Sequence, residues 1–348
     1  MLQNASSLRA SVIYALDFSA WKKPAVRQCF PAARVVFIAN AADTPAGAVL
    51  AVWGMKPVVG ELAAGVTVLR LEDGFLRSVG LGADLIRPLS WVVDGRGIYY
   101  DATRPSDLEH LLAGMTFEPA LVQRAASLRL RIVAERLTKY NVGADVWQRP
   151  AGVVKVILVP GQVESDASLA YGAPEIRSNI ALLQAVRQAN PQAYVVYKPH
   201  PDVMAGLRAK GAGEDQALHW CDAVVTDAAM GDLLMAVDEV HVLTSLAGFE
   251  ALLRGKPVTC YGQPFYSGWG LTQDVVPSLR RARRLALDEL VAGVLIEYPV
   301  YLSLVSDALT SPEQALDELV AWRARSGGTV PLWRKFFRMV LRHIVGVR

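Results

Sequence analysis

The sequence predicts an α/β chain made of two facing Rossmann-like domains with a ligand cleft between them, and three observations point there. Short apolar runs rich in Val, Ile and Leu recur along the chain, bounded by Gly, Pro, Asn or Asp, which is how strands buried on both faces read. Segments with apolar residues at helical spacing alternate with those runs. The alternation pauses in a polar stretch near Asn141–Pro150 and then restarts. Strand–helix–strand winding on both sides of one break implies two parallel sheets. The expected limits are 1–148 for an N-terminal Rossmann-like domain, 149–310 for a C-terminal Rossmann-like domain, and 311–348 for C-terminal helices.

In the first half, VIYAL (Val12–Leu16), RVVFIA (Arg34–Ala39), AVLAVW (Ala48–Trp53), VTVLRL (Val66–Leu71) and LSWVVD (Leu89–Asp94) read as buried strands. Ser106–Leu112 and Glu118–Leu137 read as helices, the second with arginines between its apolar positions. In the second half, Val153–Pro160, Ala193–Lys198, Asp222–Asp227 and Glu239–Thr244 are strands, and Ser178–Gln188 is a helix. The segment His241–Gly270 is the most informative. It reads as a strand, a Thr244-Ser245 turn, a helix over Leu246–Arg254, a strand over Pro257–Cys260, and a loop, GQPFYSGWG. Thr244 and Ser245 are good N-caps, and the N–H groups they leave at the helix start can hold a phosphate. Gly248 has no side chain to bar a close approach. Glu250 can accept hydrogen bonds from sugar hydroxyls. Phe265, Tyr266 and Trp269 are costly in a loop unless they pack or bind.

The totals exclude several classes. With 348 residues, 52% apolar and 20% charged, the chain is globular and long enough for two domains. A net charge of +3 gives no argument for nucleic acid. Cys29, Cys221 and Cys260 have neither paired nor metal-ligand spacing and read as small buried hydrophobes in a reducing cytoplasm. No signal peptide opens the chain, and no apolar run reaches the ~18 residues of a membrane span. A metal site is not expected: there is no DxD on a strand end and no His pair at ligand spacing.

Three loops follow strand ends, where open α/β sheets bind ligands. Glu72-Asp73-Gly74 is either an acid/base pair or an acidic turn with Asp73 as a cap. Arg77 and Ser78 nearby can pair with an anionic ligand or with Glu72. In GQVESDAS (Gly161–Ser168), Gln162, Glu164, Asp166 and Ser168 crowd together. A carboxylate there can act as a nucleophile, although spacing alone favours an N-cap at Asp166 or Ser165. In YKPHP (Tyr197–Pro201), two prolines stiffen the backbone around His200. That suits a phosphate-bearing leaving group, with His200 as donor or general acid. Lys198 is more readily paired locally.

Five blocks together, LEDGFLRSVGLGADL, PLSWVVDGRGIYYDATRPSDLE, VPGQVESDASL, YKPHP and LTSLAGFEALLRGKPVTCYGQPFYSGWG, resemble the capsule polysaccharide biosynthesis family typified by KpsC. Its modules are retaining β-Kdo transferases, Kdo being an eight-carbon acidic sugar. The resemblance covers most of the chain. It implies a GT-B-like fold and transfer of Kdo from CMP-Kdo by double displacement, without cofactor or metal. The acceptor would be a Kdo-terminated or lipid-linked glycan at the cytoplasmic face of the inner membrane. Carried over by motif, Asp166 would be the nucleophile and Glu72, rather than Asp73, the acid/base. His200, Thr244-Ser245 and the following helix would hold CMP, and Glu250 would contact ribose or cytidine. Arg77, Arg177 and Lys198 would suit an acidic donor.

The resemblance also implies a departure. The best-known KpsC chains carry two transferase modules, and this length suits one, which leaves open a single-linkage enzyme, a partner of a second transferase or of the capsule export machinery, or one module of a longer chain. Two alternatives stand beside the leading reading: another CMP-sugar transferase of sialyl type, and a non-catalytic glycolipid-binding assembly module. Finally, Pro331–Arg348 places Trp333, Phe336, Phe337, Val340 and Ile344 on one helical face and Arg334, Lys335, Arg338 and Arg342 on the other. That pattern suits a membrane surface. The run Arg280–Arg284 reads as a solvated helix face or a contact for an acidic acceptor.

Overall fold

The computed structural model describes residues 10–80, 86–143 and 145–326. The basic segment 331–348 and residues 81–85 of the first motif block lie outside them. Among the described residues thirteen strands form two sheets. The first sheet holds β1 (Val12–Leu16), β2 (Arg34–Ile38), β3 (Val49–Trp53), β4 (Thr67–Asp73) and β5 (Ser90–Asp94). The second holds β6 (Val156–Pro160), β7 (Tyr194–Lys198), β8 (Ala223–Val224), β9 (Glu239–Val242), β10 (Val258–Cys260) and β11 (Gln273–Asp274). Two late strands, β12 (Pro299–Leu302) and β13 (Leu309–Thr310), return to the first sheet.

The second sheet is parallel throughout, in the order β11-β10-β9-β6-β7-β8. Counted from β6, this is the doubly wound 3-2-1-4-5-6 order, and its direction of winding reverses between β6 and β9. Each of its central strands is buried on both sides. Along β6, Val156 and Leu158 enter one apolar cluster while Ile157 and Val159 enter another, as period-2 alternation requires.

The first sheet runs β13-β12-β5-β4-β3-β1-β2 and departs from the expected all-parallel arrangement. Strands β1 to β4 are parallel, but β5 is antiparallel to β4, and β12 antiparallel to β5. A parallel return needs a crossover, usually a helix, and among the described residues between β4 and β5 there is none. Gly74 N–H bonds to the Ser90 carbonyl at 2.8 Å, closing the turn directly. Residues 299–310, expected in the second domain, extend the first sheet instead: Pro299–Tyr301 pair with Ser90–Val92. Winding reverses in this sheet between β1 and β3.

One continuous core joins the halves. It runs from Val92 through Leu108, Leu128 and Ile132 to Leu158, Val240, Phe249 and Tyr298. The helices Asp107–Gly114 and Pro119–Ala134 lie within it, the first capped by the Ser106 hydroxyl. The expected solvated face at Arg280–Arg284 is not found, because 281–286 is not helical. Arg280 and Arg281 both bind the Glu109 carboxylate, Arg281 from a buried position. Arg283 donates to the carbonyls of Leu112 and Met115, satisfying the open C-terminal end of the helix Asp107–Gly114. The run is a structural clamp between distant segments. Helix Pro312–Ser326 closes the described chain. Among the described residues no helix is long and apolar enough to cross a membrane.

Candidate active site

The carboxyl ends of both sheets open on one cavity of about 880 Å³. Ligands of open α/β sheets bind at such ends, where the winding reverses. In the second sheet that point is flanked by Gly161-Gln162 after β6 and Thr244-Ser245 after β9. The two loops are tied: Thr244 N–H donates to Gln162 Oε1 at 2.9 Å, and Gln162 Nε2 donates to the Thr244 hydroxyl at 3.0 Å. Gln162 and the Thr244 hydroxyl thus shape the floor. Ser245 caps the helix Leu246–Leu253, its hydroxyl accepting from Ala247 N–H at 3.3 Å. Leu246 and Ala247 line the cavity, so the positive end of that helix faces it.

Glu72, Asp73, Arg77, Gln162, Asp166, Lys198, His200, Thr244, Ser245 and Glu250 line this cavity, whereas Gly248, Glu164 and Arg177 do not. Gly248 serves packing: a Cβ there would stand 2.2 Å from the Tyr266 hydroxyl oxygen, so the ring, and not a ligand, makes the close approach. The aromatic loop is likewise core. Tyr266 and Trp269 are fully buried, and Trp269 Nε1 donates to the Phe265 carbonyl at 2.9 Å.

His200 is the N-cap of the short helix Pro201–Met204, with Pro201 at its first position. Its Nδ1 accepts from Asp202 N–H at 3.1 Å. A backbone N–H can only donate, so the ring proton sits on Nε2. Burial, helped by Lys139 and Arg208, holds the imidazolium pKa down at about 4. At neutral pH His200 is therefore a neutral Nε2–H donor, which favours the donor role over the general acid among the two expected of it. Lys198 is buried and donates to the Thr226 carbonyl at 2.9 Å, with burial lowering its pKa to about 8.

Glu72 and Asp73 end β4 rather than forming a loop after it, and their environments differ. Asp73 binds Arg77 through Nε at 2.6 Å. Arg77 is fully buried and also donates to the Ser78 hydroxyl and the Ile86 carbonyl. Of the carboxylates, Asp73 and not the expected Glu72 is the partner of Arg77. Glu72 accepts from Asp73 N–H at 3.0 Å and from the Tyr100 hydroxyl at 3.3 Å. Burial, then the neighbouring Asp73 charge, raises its pKa to about 7. Glu72 thus holds its proton up to near neutral pH, the property that acid/base chemistry uses.

Asp166 occupies the N-cap position of the helix Ala167–Gly172, but its side chain makes no cap bond. It meets Arg208 at 3.3 Å, and both side chains are nearly half exposed. Such a pair is worth only ~0–1 kcal/mol, so a substrate can part it at little cost. Glu164 is structural: it accepts from Asn179 N–H and Ala212 N–H. Glu250 accepts from Lys139 N–H at 2.7 Å, and burial raises its pKa to about 7. Arg177 donates to the Ala173 carbonyl and is not among the cavity residues.

Sequence reasoning missed a group of cavity residues: Trp21, Lys22, Trp53, Tyr99, Tyr100, Lys139 and Tyr140. Tyr99 and Tyr100 stood in a motif block without an assigned role. Lys139 and Tyr140 lie on the crossing between halves, which Asn141 pins by donating to the Ser78 and Thr138 carbonyls. Nothing local in LTKYN signals a site. Trp21, Lys22 and Trp53 follow β1 and end β3, and only the sheet order brings them together.

Residues 52–301 match the family model described as "Capsule polysaccharide biosynthesis protein". The chain is 43% identical over 318 residues to the capsule polysaccharide modification protein LipA of Neisseria meningitidis serogroup A, covering 88% of this chain and 45% of that one. It thus spans about half the length of LipA. It is 39% identical over 316 residues to the lipopolysaccharide-processing protein LpsZ of Rhizobium meliloti, covering 85% and 71%. Two solved structures from Thermosulfurimonas dismutans KpsC also match. Its β-Kdo 2,7 transferase shares 42% identity at a TM-score of 0.74, covering 89% of this chain and 99% of that one. Its β-Kdo 2,4 transferase shares 32% at 0.78, covering 89% and 98%.

Proposed function

Because the chain belongs to the capsule polysaccharide biosynthesis protein family, we propose that it is a GT-B-like, retaining β-Kdo glycosyltransferase using CMP-Kdo. The observation that carries the reading is the shared cavity. It gathers a neutral, tautomer-fixed His200, a capped helix start, an open carboxylate at Asp166 and a carboxyl of pKa about 7 at Glu72. The similarity to two Kdo transferase modules supplies the sugar.

In this mechanism an Asp166 oxygen attacks the anomeric carbon of Kdo while its bond to the CMP phosphate breaks. The electron pair leaves on the phosphate. His200 Nε2–H and the N–H groups at the start of Leu246–Leu253 take up that charge, a role a divalent ion fills elsewhere. No cofactor or metal enters the scheme. Lys139, beside His200, faces the donor's own carboxylate. In the second step the acceptor hydroxyl gives its proton to Glu72 and attacks the same carbon, and the bond to Asp166 breaks. Two displacements retain configuration. Asp73 is assigned to holding Arg77 and raising Glu72, and Glu250 to a ribose or cytidine hydroxyl.

The acceptor is proposed to be a Kdo-terminated or lipid-linked glycan at the cytoplasmic face of the inner membrane. A second transferase or the export machinery would act beside it.

The test is incubation with CMP-Kdo generated in situ and a synthetic Kdo-terminated lipid acceptor, followed by intact mass of product and protein. The expected result is a product heavier by one Kdo, lost in Asp166→Ala, with a Kdo adduct trapped on Asp166. Turnover with a CMP-linked sialic acid and none with CMP-Kdo would replace the sugar. Absence of CMP binding would overturn the transferase reading and leave a glycolipid-binding assembly role.

A further inference from the structure

The cavity has a second end, at the point where winding reverses in the first sheet. There the chain leaving β1 carries Trp21 and Lys22, and β3 ends on Trp53. The Lys22 ammonium stands 2.9 Å from the centroid of the Trp53 ring and 5.2 Å from that of Trp21. Trp53 is itself held, edge to face, by Trp91 at 5.2 Å and Phe18 at 6.3 Å. A cation over a ring face is attracted and positioned, yet none of its N–H donors is used up.

Three other cations of the cavity have acceptors. Arg77 has Asp73, Arg208 has Asp166, and Lys198 has the Thr226 carbonyl. Lys139 lies by His200 on the donor side, its ammonium 5.5 Å from the Tyr140 ring centroid. The Lys22 ammonium makes no ion pair or hydrogen bond among the described residues, although Glu72 and Asp73 act on it through space. Burial lowers its pKa to about 8, so most of it is still charged at neutral pH. A half-buried charged amine with three unspent donors, fixed at a ligand-binding sheet end, calls for an anion.

Resting on the transferase reading, we infer that Lys22, held by Trp53 and Trp21, is the specificity-determining residue that reads the carboxylate of an acidic acceptor sugar. The position fits the division of the cavity. Donor phosphate groups belong at the second sheet, around His200 and the helix start. The acceptor must approach Glu72, and Lys22 lies on that side. A neutral acceptor would leave the ammonium without a partner, whereas a sugar acid would satisfy it.

The experiment compares a Kdo-terminated acceptor with its carboxyl methyl ester, at saturating CMP-Kdo. The unmodified enzyme is expected to prefer the acid by about 10- to 100-fold in kcat/KM, the range of a hydrogen bond to a charged group. Lys22→Gln should erase that preference through KM for the acid, and Lys22→Arg should keep most of it. CMP affinity by calorimetry should be the same in all three proteins. A preference that survives in Lys22→Gln overturns the inference. So does an equal loss for acid and ester, which would make Lys22 only a tuner of Glu72. An unmodified enzyme that transfers Kdo to the acid and to the ester equally well overturns Lys22's role and leaves the transferase reading intact. Failure to bind CMP at all would instead remove the transferase reading itself.

Discussion

Replacing Glu72 with Gln is expected to abolish most turnover while stabilising the fold, with both effects sharing one pH signature. Burial, reinforced by Asp73, lifts this carboxyl from 4.5 to about 7. The folded chain therefore holds the proton more tightly than the unfolded chain does. Below pH 4.5 both states are protonated and the group costs nothing. Between 4.5 and 7 stability falls, and above 7 the deficit levels off at up to about 3 kcal/mol. Water in the cavity reduces that figure. Gln keeps the shape and an acceptor for Tyr100 but cannot ionise. Its melting temperature should match that of the unmodified protein near pH 4.5 and exceed it at pH 8. Activity should show the opposite face of the same ionisation. The kcat/KM of the unmodified enzyme should rise with pH through about 7 as the base form appears, and Glu72→Gln should lose about 10²- to 10⁴-fold. Asp73→Asn should move the rise to lower pH, because it removes a negative neighbour and frees the Arg77 charge. A stability difference that does not change between pH 4.5 and 8 would refute the buried-carboxyl argument. Activity of Glu72→Gln within about tenfold of the unmodified enzyme would refute its role as the base.

Three further outcomes follow from single contacts. The ring-nitrogen NMR shifts of His200 should stay those of the neutral Nε2–H tautomer from pH 8 down to 5, because burial holds its pKa near 4; a titration centred near 6.5 would contradict the pinned tautomer. Gln162→Ala should cost about 1–3 kcal/mol in denaturant melts, since it removes the acceptor of Thr244 N–H at the base of the cavity; CMP affinity should fall with it. Gly248→Ala should destabilise by driving a methyl into Tyr266, by about 1–3 kcal/mol, and Tyr266→Phe should recover part of that loss. Additive effects of the two substitutions would show that the ring does not limit this position.

Much of the fold was legible because it rests on local patterns. The strands at Val12–Leu16, Arg34–Ile38, Tyr194–Lys198 and Glu239–Val242 announce themselves as β-branched runs between turn residues. The caps at Ser106, Ser178 and Ser245 follow from side chains that reach their own backbone. The site loops were found because open sheets bind ligands at strand ends, and motif blocks marked those ends. By contrast, for the Gly262–Gly270 loop two readings stood, that its rings pack or that they bind, and the rings are buried. Sequence tells that three rings need cover, but not what covers them.

By itself the sequence determined the α/β winding, the family, and the loops that carry Asp166, His200 and Thr244-Ser245. Each is set by residues near one another in the chain. Only the tertiary structure decided which sheet each strand joins, so that β12 and β13 come home to the first half across most of the chain. It also decided ionic state. Arg77 prefers Asp73, Glu72 is left with a raised pKa, and Lys22 comes to rest on Trp53. Pairing and desolvation depend on distances between residues remote in sequence, and those distances exist only once the sheets have closed on a common cavity.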